Sequence, residues 1–158
     1  MPPAPNGSIM SQQKTAREIA LEVHAGLNSV DRSAQEAIVR AYFDKESSFG
    51  DPIVCSKGAR LTRNVFLGNE LAFKAIDKRI RSITESTGAT TQATHHIVVI
   101  DADILYHLRW LPFTLTVRTV SKFTINTIAG KVVEYEDVWR YLLLYFVWSI
   151  AVRLNFNK

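Results

Sequence analysis

The sequence predicts an α+β domain in which three N-terminal helices pack on a strongly curved antiparallel sheet. Three observations carry this. Apolar residues recur at helical spacing through the first half of the chain, the period falls to two after Thr84, and turn-forming residues separate the alternating runs.

The elements follow in order. Between Lys14 and Leu27 the residues Ala16, Ile19, Ala20, Val23 and Leu27 form one helical stripe, which Asn28-Ser29 ends. Ser33 and Glu36 have the spacing of a capping box for a second helix, with Asp31 as a rival cap. That helix runs toward Phe43 and buries Ile38 and Tyr42. A polar turn then leads through Phe49-Gly50-Asp51-Pro52 to a short extended piece, Ile53 to Cys55. After the Lys57-Gly58 turn the stretch to Gly68 has little pattern. Asn69 is placed to cap a third helix, with Phe73, Ile76, Ile80 and Ile83 on its apolar face and Lys74, Lys78 and Arg81 on another. Thr84 to Thr94 reads as a loop entering a strand. Ala93–Ile100 and Ile104–Leu111 read as two strands joined at Asp101-Ala102-Asp103, and Trp110 to Phe113 makes a break. Leu115, Val117, Thr119, Ser121, Phe123 and Ile125 then alternate with polar residues along a strand, and Ala129-Gly130 turns the chain into Lys131–Trp139. The organisation expected is a disordered leader at 1–13, one domain at 14–139, and an apolar C-terminal segment at 140–158.

Bulk properties narrow the class. A chain of 158 residues with 47% hydrophobic and 22% charged residues can bury a single core, so extended disorder is excluded away from the ends. The lone Cys55 rules out an internal disulfide framework, suits a reducing compartment and reads as a small half-buried hydrophobe. The N-terminal prolines and polar residues lack the apolar run of a secretory signal. Basic residues cluster at Lys57, Arg60, Arg63, Lys74, Lys78, Arg79 and Arg81, opposed by Glu70 and Asp77. That reads as a solvated helix face, or as a surface for anionic headgroups. It has no interleaved aromatics or recognised motif, which argues against nucleic acid as a partner.

Two segments resemble the nuclear transport factor 2-like superfamily, which includes SnoaL-like polyketide cyclases and ketosteroid isomerases. Tyr42-Phe43 through Phe49-Gly50-Asp51-Pro52 looks like that superfamily's helix-to-first-strand junction. Thr124-Ile125-Asn126 through Gly130-Lys131 to Asp137-Val138-Trp139 looks like its last hairpin. The resemblance covers about Lys14 to Trp139 and implies a cystatin-like cone enclosing an apolar pocket. With its apolar C-terminus the chain also resembles the fungal SigF-like subgroup. Because the fold hosts enzymes, transport factors and assembly domains, it names no reaction.

Asp51 is the first candidate for chemistry. The resemblance implies that an aspartate just before proline at this junction serves as general base, whereas its structural role would be to cap a turn. Where the isomerases carry a donor tyrosine and a protonated acid, this chain offers Leu27 and Ser121. Asp137 shares a strand face with Val133, Tyr135 and Trp139, so it points inward if they do, as a pocket acid or a network member. His95 and His96 face opposite ways, and His96 is the candidate acid–base partner of Asp51 or Asp137. His107 and Arg109 read as an outer polar face, and His24 on the first helix offers nothing specific. The pocket walls expected are Phe49, Phe73, Tyr106, Trp110, Phe123, Tyr135 and Trp139. No Cys/His or HExxH spacing supports a metal, no Gly-rich fingerprint supports a nucleotide, and no cofactor is expected.

Tyr141 to Val152 is the most hydrophobic run, flanked by Arg140 and Arg153. It is shorter than the roughly 20 residues that span a bilayer and fits core, a homodimer interface or a shallow membrane-surface segment. Together these features predict an intracellular domain, cytosolic or on the cytosolic face of a membrane, that binds an apolar small molecule. The alternatives are a cofactor-free isomerase, cyclase or dehydratase acting on an apolar carbonyl compound, and a membrane-attached interaction module.

Overall fold

The computed structural model describes residues 13–87 and 94–140. Residues 1–12 of the leader, 88–93 of the Thr84–Thr94 loop and 141–158 of the apolar C-terminal segment lie outside the described residues, while Thr84 to Thr87 is strand rather than loop. Helices α1 (Ala16–Leu27) and α2 (Arg32–Tyr42) are followed by strands β1 (Phe43–Gly50) and β2 (Cys55–Lys57), then α3 (Ala59–Phe66) and the single turn α4 (Asn69–Ala72). Strands β3 (Phe73–Thr87), β4 (His95–Leu108), β5 (Thr114–Asn126) and β6 (Lys131–Trp139) complete one curved sheet of order β2-β1-β6-β5-β4-β3. Every neighbouring pair is antiparallel except β1 and β6, which run parallel.

Helix α1 forms as the stripe predicts. Thr15 and Glu18 make a reciprocal capping box, and all five stripe residues are buried, packing toward β4 and β5. Gly26 lets α2 approach closely, since a Cβ there would stand 2.3 Å from Ile38 Cγ1. Asp31, not Ser33, caps α2: its Oδ1 accepts the Ser33 and Ala34 amides at 2.9 and 3.2 Å. Val39 and Gln35 fill the interior side of α2, while Ile38 and Tyr42 are half-buried, with the Tyr42 hydroxyl donating to Glu22.

Four expectations are corrected. The polar turn after Tyr42 is strand β1, held between β2 and β6, with Phe43, Ser47 and Phe49 buried. The unpatterned stretch is helix α3, whose interior side is only Thr62 and Phe66, too few apolar positions to show a period. The expected third helix is the long edge strand β3. Its register shifts at Phe73/Ala75 and Ile80/Ser82, which spaces the isoleucines as a helix would. The basic face disperses with it: Lys78 donates to the carbonyls of Ala25 and Asn28 at 2.9 and 2.8 Å, ending α1, while Arg81 pairs with Asp103 at 2.6 Å. Finally, Asp101-Ala102-Asp103 is no turn. Val98, Ile100, Ala102 and Ile104 keep one continuous buried face on β4, and the aspartates point outward to Arg118 and Arg81.

Strand β5 matches its predicted alternation from Val117 to Ile125, and Gly130, at φ 63°, makes the turn into β6. A register shift between Thr124 and Ile125 puts Val132 inside in place of Val133. Cys55 is exposed on β2 rather than half-buried.

Candidate functional site

Asp51 sits in the turn between β1 and β2. Its Oδ1 accepts the amides of Ile53 and Val54 at 2.7 and 2.6 Å, while its own amide donates to Val54 O at 2.9 Å. This is an aspartate-capped turn with proline setting the next dihedral. It also leaves the carboxylate half-buried at the end of the sheet where β6 finishes, since Gly50 pairs with Glu136.

Asp137 comes to the same place from β6. It pairs across the sheet with Ser121, whose Oγ donates to Asp137 Oδ1 at 2.7 Å; Trp139 Nε1 reaches Asp137 Oδ2 at 3.4 Å. Burial pushes the Asp137 carboxyl up to about 6, opposed by these two donors and reinforced by the negative charge of Asp51. The hydroxyls of Tyr106 and Tyr135 are held protonated well above the usual tyrosine range, first by burial and then by the charges of Asp137 and Asp51. Four oxygen-bearing groups from β4, β6 and the β1–β2 turn thus lie near enough for the carboxylate charges to act on the other groups, and Ser121 donates to Asp137 among them.

The floor beneath them is made of small side chains. Along the inner face, one cross-strand row is Ile100, Ser121 and Asp137, and the next is Ala102, Thr119 and Trp139. Ala102, Thr119 and Ser121 are all buried, and Thr119 Oγ1 has no hydrogen-bond partner. The locus carries two carboxyls, two phenols and one unused hydroxyl.

Asp51, Asp137, Tyr106, Tyr135 and Trp139, of the residues expected from sequence, meet here. Phe49, Phe123 and Tyr135 also pack on one another: Phe123 stacks on Tyr135 with centroids 4.5 Å apart, and Phe49 lies 5.0 Å from Tyr135. Phe73 packs on Tyr106 at 4.6 Å. Two candidates are not brought to the locus. His96 stands at the start of β4 opposite Ile125, and its ring bonds Glu85 at 3.0 Å. Trp110 stands in the β4–β5 turn, 83% exposed. His107 faces outward to Asp77 at 2.8 Å. A shallow depression of about 410 Å³ lies elsewhere, lined by charged residues around the start of α2, and includes none of the expected residues.

Three residues not picked out by the sequence matter to the interior. Phe66 on α3 completes the aromatic cluster, 5.1 Å from Phe49. Thr119 supplies the orphan hydroxyl; it was visible as part of the β5 alternation. His24 is 1% exposed with Nε2 unpartnered, and burial, aided by Lys78, lowers its imidazole to about 4. Its spacing of four from Ala20 and three from Leu27 places it on the α1 stripe. Among the described residues, no group of three His, Cys, Asp or Glu side chains could hold a metal ion, and no helix is long and apolar enough to cross a membrane.

No family model matches the sequence, and no curated protein does. Solved structures match well in shape. A candidate scytalone dehydratase from Novosphingobium aromaticivorans superposes with a TM-score of 0.65 at 12% identity, covering 79% of this chain and 81% of its own. A candidate SnoaL-like polyketide cyclase from Shewanella putrefaciens gives 0.60 at 11% identity, covering 92% and 90%. A LinA-type3 hexachlorocyclohexane dehydrochlorinase from Novosphingobium barchaimii gives 0.62 at 12% identity, covering 79% and 86%. The chain has the fold of the nuclear transport factor 2-like superfamily.

Proposed function

We propose that this domain binds a small, largely apolar molecule at the end of the sheet interior, with the molecule's one polar group against Asp137. The observation that carries the reading is the convergence of Asp137, Asp51, Tyr106 and Tyr135 above a floor of Ala102, Thr119 and Ser121. Isolated polar groups in an apolar surround fix a ligand's orientation and reject unmatched competitors. The shared fold supports the same direction, since the neighbours are named as a dehydratase, a cyclase and a dehydrochlorinase.

The test uses a neutral solvatochromic ketone, 6-propionyl-2-dimethylaminonaphthalene, titrated into the full chain. Saturable, blue-shifted emission at one-to-one stoichiometry is expected. At pH 5, where the Asp137 carboxyl keeps its proton and can donate to the ketone oxygen, Asp137→Leu and Trp139→Ala should each weaken binding about tenfold or more, and Trp110→Ala should leave it unchanged. Absence of saturation, or equal loss in all three variants, would sink the reading.

A second reading is a cofactor-free isomerase, cyclase or dehydratase acting on an apolar carbonyl compound. It is favoured by the Asp137 carboxyl at about 6, close to the pH at which a carboxylate exchanges protons efficiently. In that reaction Asp137 or Asp51 takes a proton from the carbon beside the carbonyl, and the protonated hydroxyl of Tyr106 donates to the developing enolate oxygen. Exchange of 2-tetralone hydrogens into heavy water, followed by NMR, separates the two readings. Acceleration that Asp137→Asn or Asp51→Asn abolishes supports catalysis. Binding without acceleration leaves the domain a carrier or sensor.

A further inference from the structure

We infer that the ligand class of this site is an apolar amine bound as its ammonium ion. The inference rests on the small-molecule reading above and names the chemistry of the polar group.

The first argument is a charge without a counter-charge. Asp51 accepts two backbone amides through one oxygen, and Asp137 accepts Ser121 and Trp139. Among the described residues neither carboxylate meets a lysine, arginine or histidine. The charged neighbours felt by Asp137, Tyr106 and Tyr135 are acidic throughout. On the outer face of the same sheet the pattern is the reverse: Asp101 is clasped by Arg118 at 2.8 Å and Asp103 by Arg81 at 2.6 Å. A cation would complete the interior pair in the way the arginines complete the outer ones, and an anionic ligand would be repelled.

The second argument is independent of charge. Thr119 is 1% exposed, lies on the inner face two residues from Ser121 and directly opposite Trp139, and its Oγ1 has no partner. A buried hydroxyl of this kind lacks a donor or an acceptor, and an ammonium N–H supplies a donor. An amine that keeps one N–H can donate it to Thr119 and meet the carboxylates through its charge. A carbonyl compound offers nothing to the carboxylates in their ionised form.

The test compares protonated N,N-dimethylbenzylamine with isobutylbenzene, its neutral carbon isostere, by calorimetric titration of the full chain at pH 8. The amine is expected to bind about tenfold tighter or better. Asp51→Asn and Asp137→Asn should each shrink that preference to under about threefold, read as the ratio of the two affinities within the same variant. Lowering the pH to 5 should weaken the amine and spare the isostere. If isobutylbenzene matches the amine in the wild-type protein, the ammonium assignment is overturned and the small-molecule site stands. If neither binds, both fall. The wild-type comparison decides even where a variant fails to fold.

Discussion

The inner face of β5 divides into two halves that are equally inaccessible to water and chemically opposed. Phe123 and Ile125 are fully buried, and Phe123 stacks on Tyr135 within the ring cluster that Phe49 and Phe66 complete. Ser121 and Thr119 are just as buried, yet one hydroxyl serves Asp137 and the other serves nothing. In the first half every side chain has a close-packed neighbour, as a stability core requires. The second half leaves polar groups underused, a cost that a folded chain tolerates where a ligand is to sit. The same strand therefore builds the core and the candidate site, and the boundary falls between Ser121 and Phe123.

Truncating each half measures the division most directly. Phe123→Ala is expected to cost about 4 kcal/mol in urea unfolding, because it empties the space beside a stacked ring. Trp139→Ala, at the half-buried polar end, is expected to cost under about 2 kcal/mol. Equal losses would show that the polar end is packed as tightly as the aromatic one and would leave no room for a ligand.

Protonation sharpens the contrast through two buried groups of opposite sign. His24 titrates near 4 in the folded chain against 6.5 unfolded, so the unfolded chain binds more protons between those values. Its contribution, about 3 kcal/mol, is present above pH 6.5 and is lost as pH falls toward 4. Asp137 titrates near 6 against 3.8, so the folded chain binds more protons and stability falls as pH rises through that window. Its partial exposure reduces this to about 2 kcal/mol. Between pH 4.5 and 6 the two slopes oppose, and the wild-type unfolding free energy is expected to be nearly flat. Asp137→Asn should uncover a rise with pH, and His24→Leu a decline. Parallel curves for both variants would refute the burial of one of these groups.

The same two halves explain what the sequence could convey. Strand β5 is legible because Val120 alone interrupts its alternation, and Asp137 is legible because Tyr135 and Trp139 fix which face of β6 is inward. The parallel pairing of β1 with β6 was hidden, since Asp44 to Ser48 is polar and its strand geometry is imposed by neighbours on both sides. Strand β3 was misread because two register shifts made period-two residues mimic a helical stripe, and β4 because aspartates that serve outward ion pairs resemble a turn. His24 lies on the buried stripe of α1, but a polar residue among apolar ones carries no sign in the sequence of facing inward. Whether a buried threonine has a partner depends on atoms from three strands, and no spacing in the chain encodes it.

Thr119→Val carries the smallest expected effect. Valine keeps the shape of threonine and removes the orphan oxygen, so burial no longer strips a hydroxyl of water without replacement. Thermal and urea unfolding of the ligand-free variant should show a gain of about 1 kcal/mol. The effect should not change with pH, because no titrating group bonds to that hydroxyl. A loss of the same size would mean that Oγ1 is satisfied in solution by trapped water, and the polar half of β5 would then be as complete as the aromatic half. A gain in stability paired with weaker amine binding would instead place Thr119 where function is favoured over stability.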